Sequence, residues 1–201
     1  MTQASAAPVR LALTRHHVKN PHAVDRQALL AALAAQLPCS QEGERSIVVN
    51  VGEPGTERVV LFCSANVTPA IVAADTVVVD VAVDSAYRTF VRSVIASATS
   101  TVLALREALR SVPLPGIGAP CQQLCQQLDV IALMTEGYGL QSGDSGQQAL
   151  AGGLAAASQR LRESVTATDD SVRCMDDLHY DVSPALHAVD ETFRRQSITS
   201  D

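Results

Sequence analysis

The fold class is decided by residues 76–109, which read TVVVDVAVDSAYRTFVRSVIASATSTVLALREAL. Within residues 76–83 the side chains separate onto two faces with a period of two, which is the pattern of a β-strand. From Ser85, which is predicted to cap a helix, apolar residues recur three or four positions apart as far as Leu109. A strand that leads directly into a helix of about seven turns predicts an α+β chain.

Three further segments upstream have strand character. Residues 9–15 alternate apolar and polar side chains, and residues 45–51 (RSIVVNV) and 57–64 (ERVVLFCS) are rich in β-branched residues. Residues 53–56 (EPGT) place Pro and Gly at the centre of a type II turn. We therefore predict a small antiparallel sheet.

The helices divide the rest of the chain. One helix is predicted to begin at Asn20-Pro21 and to complete an N-terminal α/β module over residues 1–84. Residues 85–136 predict two packed helices. Residues 137–147 hold four glycines and predict a Gly-rich linker to a last helical segment over residues 148–196.

That last segment carries a seven-residue apolar repeat, which favours a long, heptad-bearing, coiled-coil-like helix. His179 and Thr168 are polar exceptions, and Pro184 predicts a kink or a division into shorter helices. The same stripe suits either an intermolecular coiled coil or a bundle within one chain. We predict the following interface residues: Leu154, Leu161, Val165, Val172, Met175, Val182, Leu186, Val189 and Phe193.

Composition excludes several classes of protein. The 201 residues are 47% hydrophobic and 18% charged, which is unlike a disordered chain. The net charge of -6 and the absence of a Lys/Arg run argue against a nucleic-acid partner. The sequence has no apolar run long enough to insert in a membrane and no visible secretory signal. With an odd count of five cysteines, these features predict reduced thiols and a cytoplasmic location.

Several short motifs have chemical interpretations, each with a structural alternative. Residues 143–146 (GDSG) match the serine-protease nucleophile motif, but their flanks predict helix and linker. Cys121 and Cys125 are spaced to share a metal, or to pack as small apolar side chains, which we favour.

Histidines supply the remaining candidate ligands. His16, His17 and His22 lie with Cys39 near the first strand end, and His187 follows His179 among acidic residues. Exposed polar residues collect at such places, and ligand count and geometry cannot be read from sequence. We predict no catalytic residue, no cofactor and no metal.

Two functions follow as hypotheses. The first is a non-catalytic interaction subunit or adaptor, a homo- or hetero-oligomer that binds protein partners through its C-terminal helices. The second is a small-ligand-binding protein or enzyme with a pocket between sheet and helices. An exposed stripe on the single chain favours the first, and an apolar pocket with polar groups favours the second.

Overall fold

A computed structural model of the chain describes residues 10–23, 25–37, 43–52, 60–61, 71, 73–111, 117–166 and 171–198. Its strands are β1 (Thr14–Lys19), β2 (Ser46–Gly52), β3 (Val60–Leu61) and β4 (Thr76–Val83). Its helices are α1 (Arg26–Ala34), α2 (Asp84–Ala108), α3 (Gly118–Ser142), α4 (Ser145–Thr166), α5 (Ser171–Asp176) and α6 (Ser183–Ile198), with a π-helix (Asp177–Val182) before α6. This mixture of sheet and helices is the α+β class that the sequence predicts.

The sheet has the strand order β1-β4-β2-β3, and its described pairs are antiparallel. Pairing between the segments predicted as the second and third strands is confirmed where Asn50 lies opposite Leu61. The turn predicted at residues 53–56 lies outside the described residues. The first strand is Thr14–Lys19 rather than residues 9–15, because these are the residues that pair with β4.

Helix α1 begins later than the sequence predicts. Asp25, rather than Asn20, caps it by accepting hydrogen bonds from the backbone N–H groups of Gln27 and Ala28. The buried Asn20 side chain instead donates to the carbonyl oxygens of Ile71 and Ala74. Asparagine is favoured both at helix caps and in turns, so its position alone does not separate the two roles.

The two faces of the sheet belong to two apolar clusters. Val77, Val79 and Val81 pack with Leu29, Leu30 and Leu33 of α1. On the opposite face Ile47 and Ala82 join the core of the helical region. The sheet is therefore covered by α1 on one side and reached by the long helices on the other.

The prediction of a Gly-rich linker at residues 137–147 is wrong, because two helices occupy most of this segment. Helix α3 continues to Ser142, and α4 starts at Ser145 after a tight turn. Gly143 ends α3 with a φ of 69°, a conformation that glycine adopts at little cost. A Cβ atom at Gly139 would lie 3.0 Å from the carbonyl oxygen of Asp144, so this glycine permits close packing of α3 on the start of α4.

The heptad stripe is buried inside the chain. Helix α4 packs against α3, the π-helix and α6, and its residues Leu154 and Leu161 have 0% exposure. Val182, Leu186, Val189 and Phe193 are at most 2% exposed, Val165 and Met175 are partly buried, and Val172 is 68% exposed. The stripe thus closes an intramolecular bundle, and Thr168 lies outside the described residues.

The π-helix explains why the predicted register fails at Val172 and His179. From Val182 onward the predicted and buried positions coincide, but upstream the chain buries Cys174 and Leu178 instead of Met175 and His179. A π-helical turn holds about one residue more than an α-helical turn. That extra residue shifts the buried face by one position.

This register predicts that two substitutions by alanine in the same segment lower the free energy of unfolding by different amounts. Leu178→Ala should lower the free energy of unfolding by about 2–5 kcal/mol, because it empties a buried site. Val172→Ala, at an exposed site, should change it by no more than about 0.5 kcal/mol. Urea denaturation of both variants measures the difference, and a larger loss for Val172→Ala would support the uninterrupted heptad instead.

Candidate functional site

A pocket of about 290 Å³ lies where α1, α2, α3 and the sheet meet. Its walls are mainly apolar side chains, among them Leu30, Val49, Phe90, Leu133 and Met134. Leu13 and Val130 also line it and are 43% and 40% exposed, so the pocket opens to solvent between apolar side chains. The pocket combines contributions from segments far apart in the sequence.

Gln141 joins the helical wall of the pocket to the sheet. Its Nε2 donates to the carbonyl oxygen of Val48 at 3.0 Å, and its Oε1 accepts from the Val48 N–H at 2.8 Å. The side-chain amide therefore bonds the edge of β2 as a neighbouring strand would. This pair positions the end of α3 beside Val49 and Asn50.

A second link connects α1 to α3. Arg26 Nη1 lies 2.5 Å from Glu136 Oε2, and the Arg26 side chain is 13% exposed. Arg26 lines the pocket, but its charge is balanced by this carboxylate. The ion pair sets the spacing of the two helices at this wall.

Tyr87 forms part of the deep wall. Its hydroxyl donates to the carbonyl oxygen of Met134 at 2.9 Å, and its ring stacks on Tyr138 with centroids 5.8 Å apart. The Arg45 guanidinium lies over the Tyr138 ring, 5.1 Å from its centroid. Burial raises the pKa of Tyr138 to about 12, so this phenol stays protonated in the core.

A β-bulge places one polar group at the pocket. Val48 pairs with Val81 and Asn50 with Asp80, so Val49 is an extra residue in β2. Asn50 Nδ2 donates to Asp80 Oδ2 at 3.4 Å. Its Oδ1 is buried and has no hydrogen-bond partner among the described residues.

Asp80 is held by Arg15 of the edge strand. Arg15 Nε and Nη2 donate to its two carboxylate oxygens at 2.8 Å and 3.1 Å. These hydrogen bonds lower the pKa of Asp80 below its usual range and outweigh burial, which acts in the opposite direction. Asp80 is consequently ionised beside Asn50 at neutral pH.

The GDSG segment forms a helix start. Asp144 Oδ1 accepts hydrogen bonds from the backbone N–H groups of Gly146 and Gln147, which is the geometry of a helix cap. Ser145 is the exposed first residue of α4. The segment thus has a local structural role as a helix cap, rather than as the linker that its flanks predict.

The packing interpretation of the described cysteines is confirmed. Cys121, Cys125 and Cys174 are at most 1% exposed and lie in the helical core. Cys39 and Cys63 lie outside the described residues. Burial raises the pKa of Cys125 to about 11, which disfavours its reactive thiolate.

The candidate histidine ligands do not converge in the part of the chain that the structure describes. His16 and His17 are neighbours in β1, so their side chains point to opposite faces of the sheet. His179 and His187 are exposed on the C-terminal helices. The described residues contain no group of three or more potential metal ligands.

Comparisons with protein-family models, with curated proteins and with solved structures find no match to this chain. Among the described residues, no helix has the length and apolar character that crossing a bilayer requires. The candidate site therefore rests on its own geometry.

The Arg15–Asp80 contact predicts a pH-dependent difference between the wild type and Asp80→Asn. Because the folded protein lowers the pKa of Asp80, the carboxylate contributes stability that is fully present above its unfolded pKa. That contribution is lost as the pH falls through the lower folded-state pKa. Urea unfolding should show a less stable variant at neutral pH and a shrinking difference in acid, whereas a difference that grows in acid would contradict the assignment.

The buried thiols predict slow modification. A thiol reagent should label Cys121, Cys125 and Cys174 at a small fraction of the rate measured in urea, because burial blocks access of the reagent to all three. Peptide mapping by mass spectrometry measures the three rates separately. Labelling of these cysteines in the folded protein at the unfolded rate would contradict their placement in the core.

Proposed function

We propose that this chain binds a small, mostly apolar molecule in the pocket between its sheet and its helices. The observation that carries the proposal is the preformed pocket of about 290 Å³, walled by apolar side chains from α1, α2, α3 and β2. Small-molecule sites are typically concave, mostly apolar and largely formed before the ligand arrives. The pocket is at the lower end of their usual volumes.

The wall chemistry supports an apolar ligand. Gln141 is engaged with Val48 through both ends of its amide, the Tyr87 hydroxyl donates to Met134, and Arg26 is paired with Glu136. A ligand therefore meets mainly aliphatic and aromatic surface, whose removal from water drives binding.

The volume sets the size of the ligand. An apolar cavity of about 150 Å³ holds one benzene molecule. The present pocket is about twice as large, so a compound of two fused aromatic rings is a suitable probe. Burial of Leu13 and Val130 at the opening would add to its affinity, because both side chains are now partly exposed.

The interaction-subunit hypothesis remains a prediction, and the structure changes where such a surface would have to lie. Leu154, Leu161 and Phe193 have 0% exposure within the single chain. Their use in binding a partner would require the bundle to open and to expose its own core. The C-terminal stripe thus gives less support to that hypothesis than the pocket gives to ligand binding.

Naphthalene, which has no polar group, is the probe that tests the proposed function. Equilibrium dialysis should show one bound equivalent on the wild type, and Leu133→Trp should weaken binding by roughly tenfold or more, because the larger side chain fills the pocket. Leu103→Trp is the matched control, since Leu103 is 60% exposed on α2 and does not line the pocket. It should bind like the wild type.

Three results would contradict the proposal. The first is a wild type that takes up no naphthalene, and the second is a Leu103→Trp variant that loses as much binding as Leu133→Trp. The third is a chain whose self-association, seen by light scattering, excludes naphthalene, which would assign the pocket to a second copy of the chain.

A further inference from the structure

We propose that the bound molecule carries a hydroxyl group, as an alcohol or a phenol, which donates a hydrogen bond to Oδ1 of Asn50. This inference rests on the proposed function and specifies the chemistry of its ligand. Asn50 lines the pocket and is 6% exposed. Its Oδ1 is a buried acceptor with no partner among the described residues.

An unbonded acceptor in such a place is uncommon and costly. Most buried side-chain polar atoms in proteins have at least one hydrogen-bond partner. A ligand donor beside Asn50 would supply the missing partner. A purely apolar ligand would leave this oxygen unbonded and would displace any water able to reach it.

The neighbouring charge fixes which end of the Asn50 amide is available. Asp80 is ionised and held by two hydrogen bonds from Arg15. Reversal of the amide would place its oxygen against the Asp80 carboxylate, which is repulsive, whereas the present orientation directs Nδ2 to it. The acceptor is therefore the end that remains for a ligand.

The hydrogen bond to Asp80 leaves the Asn50 side-chain amide room to rotate. The Nδ2···Oδ2 distance of 3.4 Å is at the long end for a hydrogen bond. The terminal torsion of asparagine also has a broad minimum. A small rotation can thus bring Oδ1 towards the pocket while Nδ2 shortens or keeps its contact with Asp80.

The site selects a donor rather than an anion. The Asn50 amide is in contact with the Asp80 carboxylate, and the pocket cation Arg26 is paired with Glu136. A carboxylate ligand at Asn50 would place negative charge beside an acceptor and an acid. A neutral hydroxyl has the hydrogen that Oδ1 needs.

Three probes of one ring system separate this inference from the proposed function. Naphthalene reports binding alone, and 2-naphthol and 2-methoxynaphthalene differ in whether the oxygen carries a hydrogen. Equilibrium dialysis on the wild-type chain should give roughly tenfold tighter binding of 2-naphthol than of 2-methoxynaphthalene. The methyl ether is the more apolar of the two, so hydrophobicity alone predicts the opposite order.

Asn50→Leu supplies the second measurement, because leucine has a similar shape and no acceptor. In this variant the ratio of the two affinities should fall to about one or below. The inference is overturned if naphthalene binds the wild type but 2-naphthol binds no tighter than its methyl ether. It is also overturned if the tenfold preference survives in a folded Asn50→Leu chain. If none of the three probes binds, the proposed function itself fails.

Discussion

Among the described residues, the short strand β3 pairs with β2 only at Asn50 and Val51, and at the buried Val48 the Gln141 side chain takes the place of a strand partner by hydrogen-bonding both backbone groups. Because Gln141 belongs to the last turns of α3, the same pair of hydrogen bonds joins the helical region to the sheet. Helix α3 in turn packs against α1, α2 and α4. The pocket exists because α3 is held at the strand edge, with α1 and α2 completing its walls.

Local patterns in the sequence predict the parts of the fold that depend on local periodicity. The predicted strand ends at Val83, as it does in the structure, but Val83 rather than Ser85 is the residue that caps α2. Most of the predicted apolar face of α2 is buried, including Tyr87, Val91 and Leu105. Two other features depend on backbone geometry that the apolar periodicity of the sequence does not reveal. Gly139 is close to α4 rather than flexible, and the π-helix moves burial from Met175 to Cys174.

The pocket is harder to predict from the sequence than the helices and strands are, for a physical reason. The pocket brings Leu11, Phe90 and Leu133 together from three parts of the chain, and no periodicity connects them. The bulge at Val49 has no distinctive residue type, yet it determines that Asn50 lies beside Asp80. The one available signal was a lone acid in a valine-rich strand, because a buried carboxylate requires partners.

We propose that the space between Val49, Phe90 and Leu133 is a preformed apolar binding site. Xenon enters apolar cavities without needing a polar contact, so it tests the space independently of any ligand chemistry. Diffraction from a crystal of the chain under xenon pressure is the most direct measurement. We predict a xenon peak between these three side chains. A pocket filled by protein atoms or by a hydrogen-bonded cluster of waters, with no xenon, would contradict the proposed apolar site.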